Sequence, residues 1–194
     1  AWGDALVADG QYAAAETQYR RVLHAAPDKS DRLSAVYCGL GDTHLRRGTL
    51  DRAVLDYRKA LLARGDDDRA ATSLAEAMLA LGRADTGEAL AHLERLRERA
   101  PGKKMSERAE LALGRLWVQH GKIDEARHLL APMAEDLALA PALRAQALAT
   151  LAELLKIRIS VVSTLSAVTG FAAAAHGFSW AMAHACLGVF LLAC

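Results

Sequence analysis

Apolar residues recur through most of this chain at three- and four-residue steps, the spacing of one face of an α-helix, and the runs come in pairs. The clearest pair spans residues 37–65. In its first run Tyr37, Leu40, Gly41 and His44 share a face. Gly48 breaks that run, and Asp51 stands where an N-cap would open a second helix. The second run sets Leu50, Ala53, Val54, Tyr57 and Ala60 on a stripe of its own. Gly41 and Ala53 are small where the two helices would cross, so their backbones can approach closely. A two-helix hairpin with a single apolar side cannot bury that side alone. It requires neighbours.

The neighbours repeat the layout. Upstream, Trp2-Gly3, Leu6, Gly10, Tyr12, Ala15, Tyr19, Val22 and Pro27 hold the same places, and the proline stops the second helix. Downstream they are held by Leu74-Ala75, Met78, Gly82, Ala89, Leu93, Leu96 and Pro101, with two extra residues in the turn at 84–86. A fourth copy runs through Leu113-Gly114, Trp117, Gly121, Ile123, Ala126 and Leu130, and a fifth opens at Pro141 with Leu151-Ala152 and Leu155. Leu40 to Leu74 is 34 residues, and Leu74 to Leu113 is 39.

In its small, large and proline places this pattern resembles the tetratricopeptide repeat family. The resemblance implies an all-α fold, an α-solenoid of helix-turn-helix repeats wound as a right-handed superhelix with a concave inner groove. It covers residues 1–155, with repeats at about 1–30, 31–66, 67–102 and 105–140 and a partial one at 141–155.

Within these repeats the first hairpin should turn at Gly10 and continue as a helix over 12–25. The second should use 31–47 and 50–63, and the third 69–81 and 86–99. Asp85 and Glu88 read as a capping-box-like pair, and Ser106 as the N-cap of the fourth repeat. Pro132 should end or kink the helix that it falls in. The run 133–140 is then either a continuation past the kink or a short extra turn.

Composition suits this architecture. Hydrophobic residues make up 53% and aromatics 5%, as in helices packed through alanine rather than in a β-sandwich. A net charge of +1, with both signs well mixed, gives no concentrated basic face for nucleic acid. The chain starts at Ala1, with Trp2-Gly3 already midway through a helical pattern, so a preceding segment is expected.

After Arg158 the last 36 residues contain no Asp, Glu, Lys or Arg. Three accounts fit this apolar tail, 156–194. One is a membrane segment through 159–194, since a crossing needs ~20 apolar residues. Another is a helical hairpin broken near Gly177 that caps the last repeat or packs on a partner. The third is an end foreign to the repeats. With Lys156 and Arg158 at its edge, a membrane segment would leave the repeats in the cytoplasm. Bacterial cytoplasm or the cytoplasmic face of the inner membrane is the expected location, with the periplasm as the alternative.

Chemistry-bearing patterns are sparse. The seven histidines lack metal-ligand spacing, and His44 falls on an apolar stripe, where a satisfied core histidine is expected. Cys38, Cys186 and Cys194 are odd in number and far apart. No phosphate loop or nucleophile elbow is present. No enzyme activity, cofactor or metal is expected.

The resemblance points instead to the groove, which first helices line in this family. Carried over place by place, its inner positions are Asp4 in the first repeat and Cys38, Asp42 and Arg46 in the second. They continue with Arg69 and Glu76 in the third, Arg108, Arg115 and Gln119 in the fourth, and Glu153 in the partial fifth. Relatives that clamp a peptide's terminal carboxylate place asparagine where this chain has Asp4, Asp42 and Glu76, so that mode is not expected. The resemblance implies a scaffold that binds a protein or peptide in the groove, in a bacterial envelope or secretion-type assembly. Two alternatives are a membrane-anchored or oligomerising component built around the tail, and the docking domain of a larger enzyme.

Overall fold

A computed structural model describes residues 2–25, 30–82, 86–99 and 105–156. Beyond residue 156 the tail lies outside the described residues, and its three accounts with it. Among the described residues the helices run in the order α1 Trp2–Ala8, α2 Tyr12–Ala25, α3 Ser30–Arg46, α4 Leu50–Ala63, α5 Asp68–Leu81, α6 Gly87–Arg99, α7 Glu107–Gln119 and α8 Ile123–Glu135. Residues 141–156 are helical as well, and no strand occurs among the described residues. None of the described helices is long and apolar enough to cross a membrane.

The helices pair as α1/α2, α3/α4, α5/α6 and α7/α8, and each second helix also packs on the first helix of the next pair. The backbones of α1 and α3, α3 and α5, and α5 and α7 come close together. Among the described residues no two second helices approach as closely, and a long side-chain pair, Arg58–Glu88, spans α4 to α6. One layer is therefore drawn together and the other splayed, so the stack curves toward its first helices.

Close approach within a pair depends on the small residues. A Cβ on Gly41 would lie 2.5 Å from Cε1 of Tyr57, and one on Gly114 would lie 2.6 Å from Cδ2 of Leu130. In these two pairs the large residue of the second helix fills the space that the missing side chain leaves. Gly48 and Gly121 turn the chain between helices at φ of 75°, a left-handed conformation that costs glycine nothing. The main core runs through the second to fourth repeats, with Tyr57, Leu74, Met78, Leu93, Leu113 and Leu116 all fully buried.

Some local expectations change. Thr49, not Asp51, precedes α4, and its hydroxyl donates back to the His44 carbonyl (3.0 Å) instead of capping the new helix. Asp85 lies outside the described residues, and Glu88 reaches across to Arg58 of α4 (2.7 Å). Ser106 does cap α7, accepting from the Ala109 N–H. Pro132 does not end α8, which continues to Glu135 before a turn at 136–140. In the segment 141–156 the buried residues are Ala147, Thr150 and Leu154. Leu155 is exposed and so is Ala152, because only the face toward the fourth repeat is covered.

A buried polar knot ties the second repeat to the third. Asp67 caps α5 by accepting from the Arg69 and Ala70 N–H groups (3.1 Å each), takes the Ser34 hydroxyl at 2.6 Å and pairs with Arg64 at 2.9 Å. Burial alone would raise its pKa, but the hydrogen bonds and the guanidinium outweigh that and hold it below the ordinary 3.8. A carboxyl depressed in the folded state stabilises fully above its unfolded pKa, and that stability is lost as pH falls through the folded value. Asp67→Asn should therefore cost about 1–3 kcal/mol at neutral pH. Thermal melts of the variant should also decline less steeply than the parent's between about pH 5 and pH 3.

Candidate functional site

The residue after each small place points out of the first-helix layer, and these residues form a row: Asp4, Asp42, Glu76 and Arg115. Facing each from the next first helix is the residue five places before its Leu-small pair. That residue is Arg69 opposite Asp42, Arg108 opposite Glu76 and Gln146 opposite Arg115. Arg69 pairs with Asp42. Arg108 grips Glu76 with two guanidinium nitrogens, Nε at 3.0 Å and Nη2 closer still, the bidentate geometry of a strong carboxylate pair. The carboxylates also hold the second helices: Tyr57 donates to Asp42 (2.7 Å) and Tyr19 to Asp4 (2.6 Å). The Tyr19 hydrogen bond keeps the Asp4 carboxyl below its usual range. Burial and the Asp42 charge push Tyr57 far above the phenol range, so it remains a donor.

Most of the expected positions lie in this row, but not all. Cys38 is not exposed: it is 1% accessible and belongs to the core. Adjacent first helices approach so closely that the place between them is filled, as it also is at Thr72 and Leu111. Burial first, then the Asp67 charge, pushes the Cys38 thiol up to about 12, so it stays protonated and unreactive. Gln119 sits at the turn edge, accepting from Thr86 at 3.1 Å. Arg46 and Glu153 are exposed.

Two clusters, one buried and one half-buried, were not foreseen. His44 gives its Nδ1 to the pair with Asp56 at 2.7 Å, and its Nε2 has no hydrogen-bond partner, with the Glu16 carboxylate 3.7 Å away. Glu16 is itself held by Arg20 and Arg47 (2.6 and 2.9 Å). The histidine is thus core, as expected, but only half satisfied. Glu94 of α6 accepts from the Trp117 indole (2.9 Å) and from Lys122 (2.6 Å) of the next repeat. Arg97 lies over the Trp117 ring at 4.8 Å. Trp117 and Lys122 stand five residues apart across the Gly121 turn, but their partner is more than 20 residues upstream.

Among the described residues no group of His, Cys, Asp or Glu is placed to hold a metal. Several hollows adjoin the row, and two bear on its chemistry. One, of about 710 Å³, is lined by charged residues of the helix-end loops, including Asp31, Arg64, Asp66, Asp68 and Arg99. The other, of about 330 Å³, lies within the row, between Glu76, Arg108, Leu111, Arg115, Leu143 and Gln146. An array of fixed charges on a curved helical layer can position an extended chain, but it contains no activated nucleophile.

A family model for the tetratricopeptide repeat matches residues 1–73 and 74–138. Similar solved structures include a tetratricopeptide repeat protein from Parabacteroides merdae, 18% identical, with a TM-score of 0.63 over 97% of this chain and 70% of that one. YrrB, described as a TPR protein with an unusual peptide-binding site, is 21% identical, with a TM-score of 0.59 over 79% of each chain. MamA is 20% identical, with a TM-score of 0.55 over 79% of this chain and 92% of its own. No curated protein sequence matches the chain.

Proposed function

The chain belongs to the tetratricopeptide repeat family, and we propose that it is a non-catalytic scaffold holding an extended peptide or subunit segment along its first-helix layer. The observation that carries this is the row of Asp42–Arg69, Glu76–Arg108 and Arg115. It is exposed or half-buried, aligned across successive repeats, and lies on the side toward which the stack curves. A ligand in such a row meets alternating charge at a spacing fixed by rigid helices, which favours register over bulk affinity. YrrB, similar in fold, is described as having a peptide-binding site, in keeping with a peptide as the partner class.

The test is a selection of randomised displayed peptides on the full chain, followed by binding of a selected peptide to two variants. Exchanging one ion pair end for end, Glu76→Arg with Arg108→Glu, retains the attraction but reverses the row. It should weaken binding roughly tenfold or more. Leu62→Glu, at the outward-facing Leu62 (86% exposed) of α4, should leave affinity within about twofold. The opposite ranking would place binding on the second-helix side and end this reading.

A further inference from the structure

The charge row does not finish as it starts. In the second and third repeats the residue after the small place is acidic and its neighbour on the next first helix is arginine, so each charge is neutralised. In the fourth repeat the sign inverts: the residue is Arg115, and its neighbour is the neutral Gln146. Among the described residues no carboxylate lies within ion-pair distance of Arg115. Glu76 shares the hollow but is taken by both guanidinium nitrogens of Arg108. The hollow of about 330 Å³ thus carries one net positive charge, from Arg115.

Its remaining surface is of a different kind. Leu111 and Ala112, both buried, form its floor, and the half-buried Leu143 forms a wall. Gln146 offers an amide that can donate or accept. The volume is at the lower end of ligand-sized pockets, room for one or two side chains rather than a folded element. A guanidinium held half-buried beside an apolar floor has lost part of its hydration without gaining a counter-ion among the described residues. A carboxylate with an apolar neighbour supplies both missing partners.

We propose that this hollow is the specificity pocket of the groove, and that it receives an internal Asp or Glu of an extended peptide together with an adjacent aliphatic or aromatic side chain. The acidic group pairs with Arg115 and accepts from Gln146, while the apolar neighbour lies on Leu111 and Leu143. This rests on the reading of the first-helix layer as the peptide-binding surface.

The probe is a displayed library of randomised 12-residue peptides selected on the full chain, with the best sequence resynthesised N-acetylated and C-amidated. Selected peptides should share an acidic residue next to a large apolar one. Arg115→Glu should weaken the amidated peptide roughly tenfold or more. Changing the peptide's acidic residue to Lys should restore binding to that variant, and a swap of this kind cannot be explained by a misfolded variant. Arg115→Gln, which removes charge without reversing it, should fall between. If the peptide binds along the row, is weakened by the Glu76/Arg108 exchange and yet is unaffected by Arg115→Glu, the pocket assignment is overturned and the groove reading stands. Binding that appears only with a free terminal carboxylate overturns the assignment to an internal side chain. If no peptide is enriched, both readings fall together.

Discussion

Gly41→Ala should lower the melting temperature, against the sign that helix propensity dictates. Gly41 lies inside α3, where an exposed glycine replaced by alanine would gain about 1 kcal/mol. Here the added Cβ would sit 2.5 Å from Cε1 of Tyr57, a distance that real Cβ atoms do not tolerate. The ring cannot retreat, because it is 0% exposed and its hydroxyl is tied to Asp42 at 2.7 Å. Separating α3 from α4 is the remaining response, and overpacking of that kind costs about 1–3 kcal/mol. Gly65→Ala is the control. Its Cβ would meet only the Leu61 carbonyl oxygen at 3.7 Å, so its melting temperature should stay close to the parent's.

Tyr57→Ala should be the most damaging single truncation in the second repeat. The ring fills the space above Gly41 and joins the main core, and a large-to-small aromatic change leaves a cavity costing about 3–5 kcal/mol. For a chain of this size that is a drop on the order of 10 °C in melting temperature. Tyr57→Phe separates ring from hydroxyl. It retains the packing, loses the donor to Asp42 and should cost about 1–2 kcal/mol, with Arg69 still pairing the carboxylate. Differential scanning calorimetry of the two variants and the parent measures both contributions. If Phe is as damaging as Ala, the Asp42 network rather than ring packing holds this hairpin.

These two residues also show why the helices could be read from the sequence. The small place at Gly41, the large place at Tyr57 and the left-handed Gly48 are local signals, each tied to one steric requirement, and they recur. The caps were less legible, because Asp51 and Thr49 are both good N-cap residues and a single backbone carbonyl, that of His44, decided the hydroxyl's partner. The groove was legible as a set of positions but not as an electrostatic pattern. Asp42 and Arg69 are 27 residues apart, Glu76 and Arg108 are 32, and the longer third repeat hides that both pairs obey one rule. Cys38 was misplaced because helix periodicity tells which way a side chain points, not how near the adjacent repeat comes. The Glu16–His44–Asp56 cluster joins three helices, and no spacing along one helix announces it.

The central claim is that the first-helix layer is the binding surface. The most direct measurement is an amide chemical-shift map of the isotope-labelled full chain, titrated with a peptide selected from the displayed library. The account predicts perturbations along α3, α5 and α7, centred on Asp42, Arg69, Glu76, Arg108 and Arg115, with the outer faces of α4, α6 and α8 unmoved. Perturbations confined to those second helices, or to the loops around Asp31 and Asp66, would contradict it.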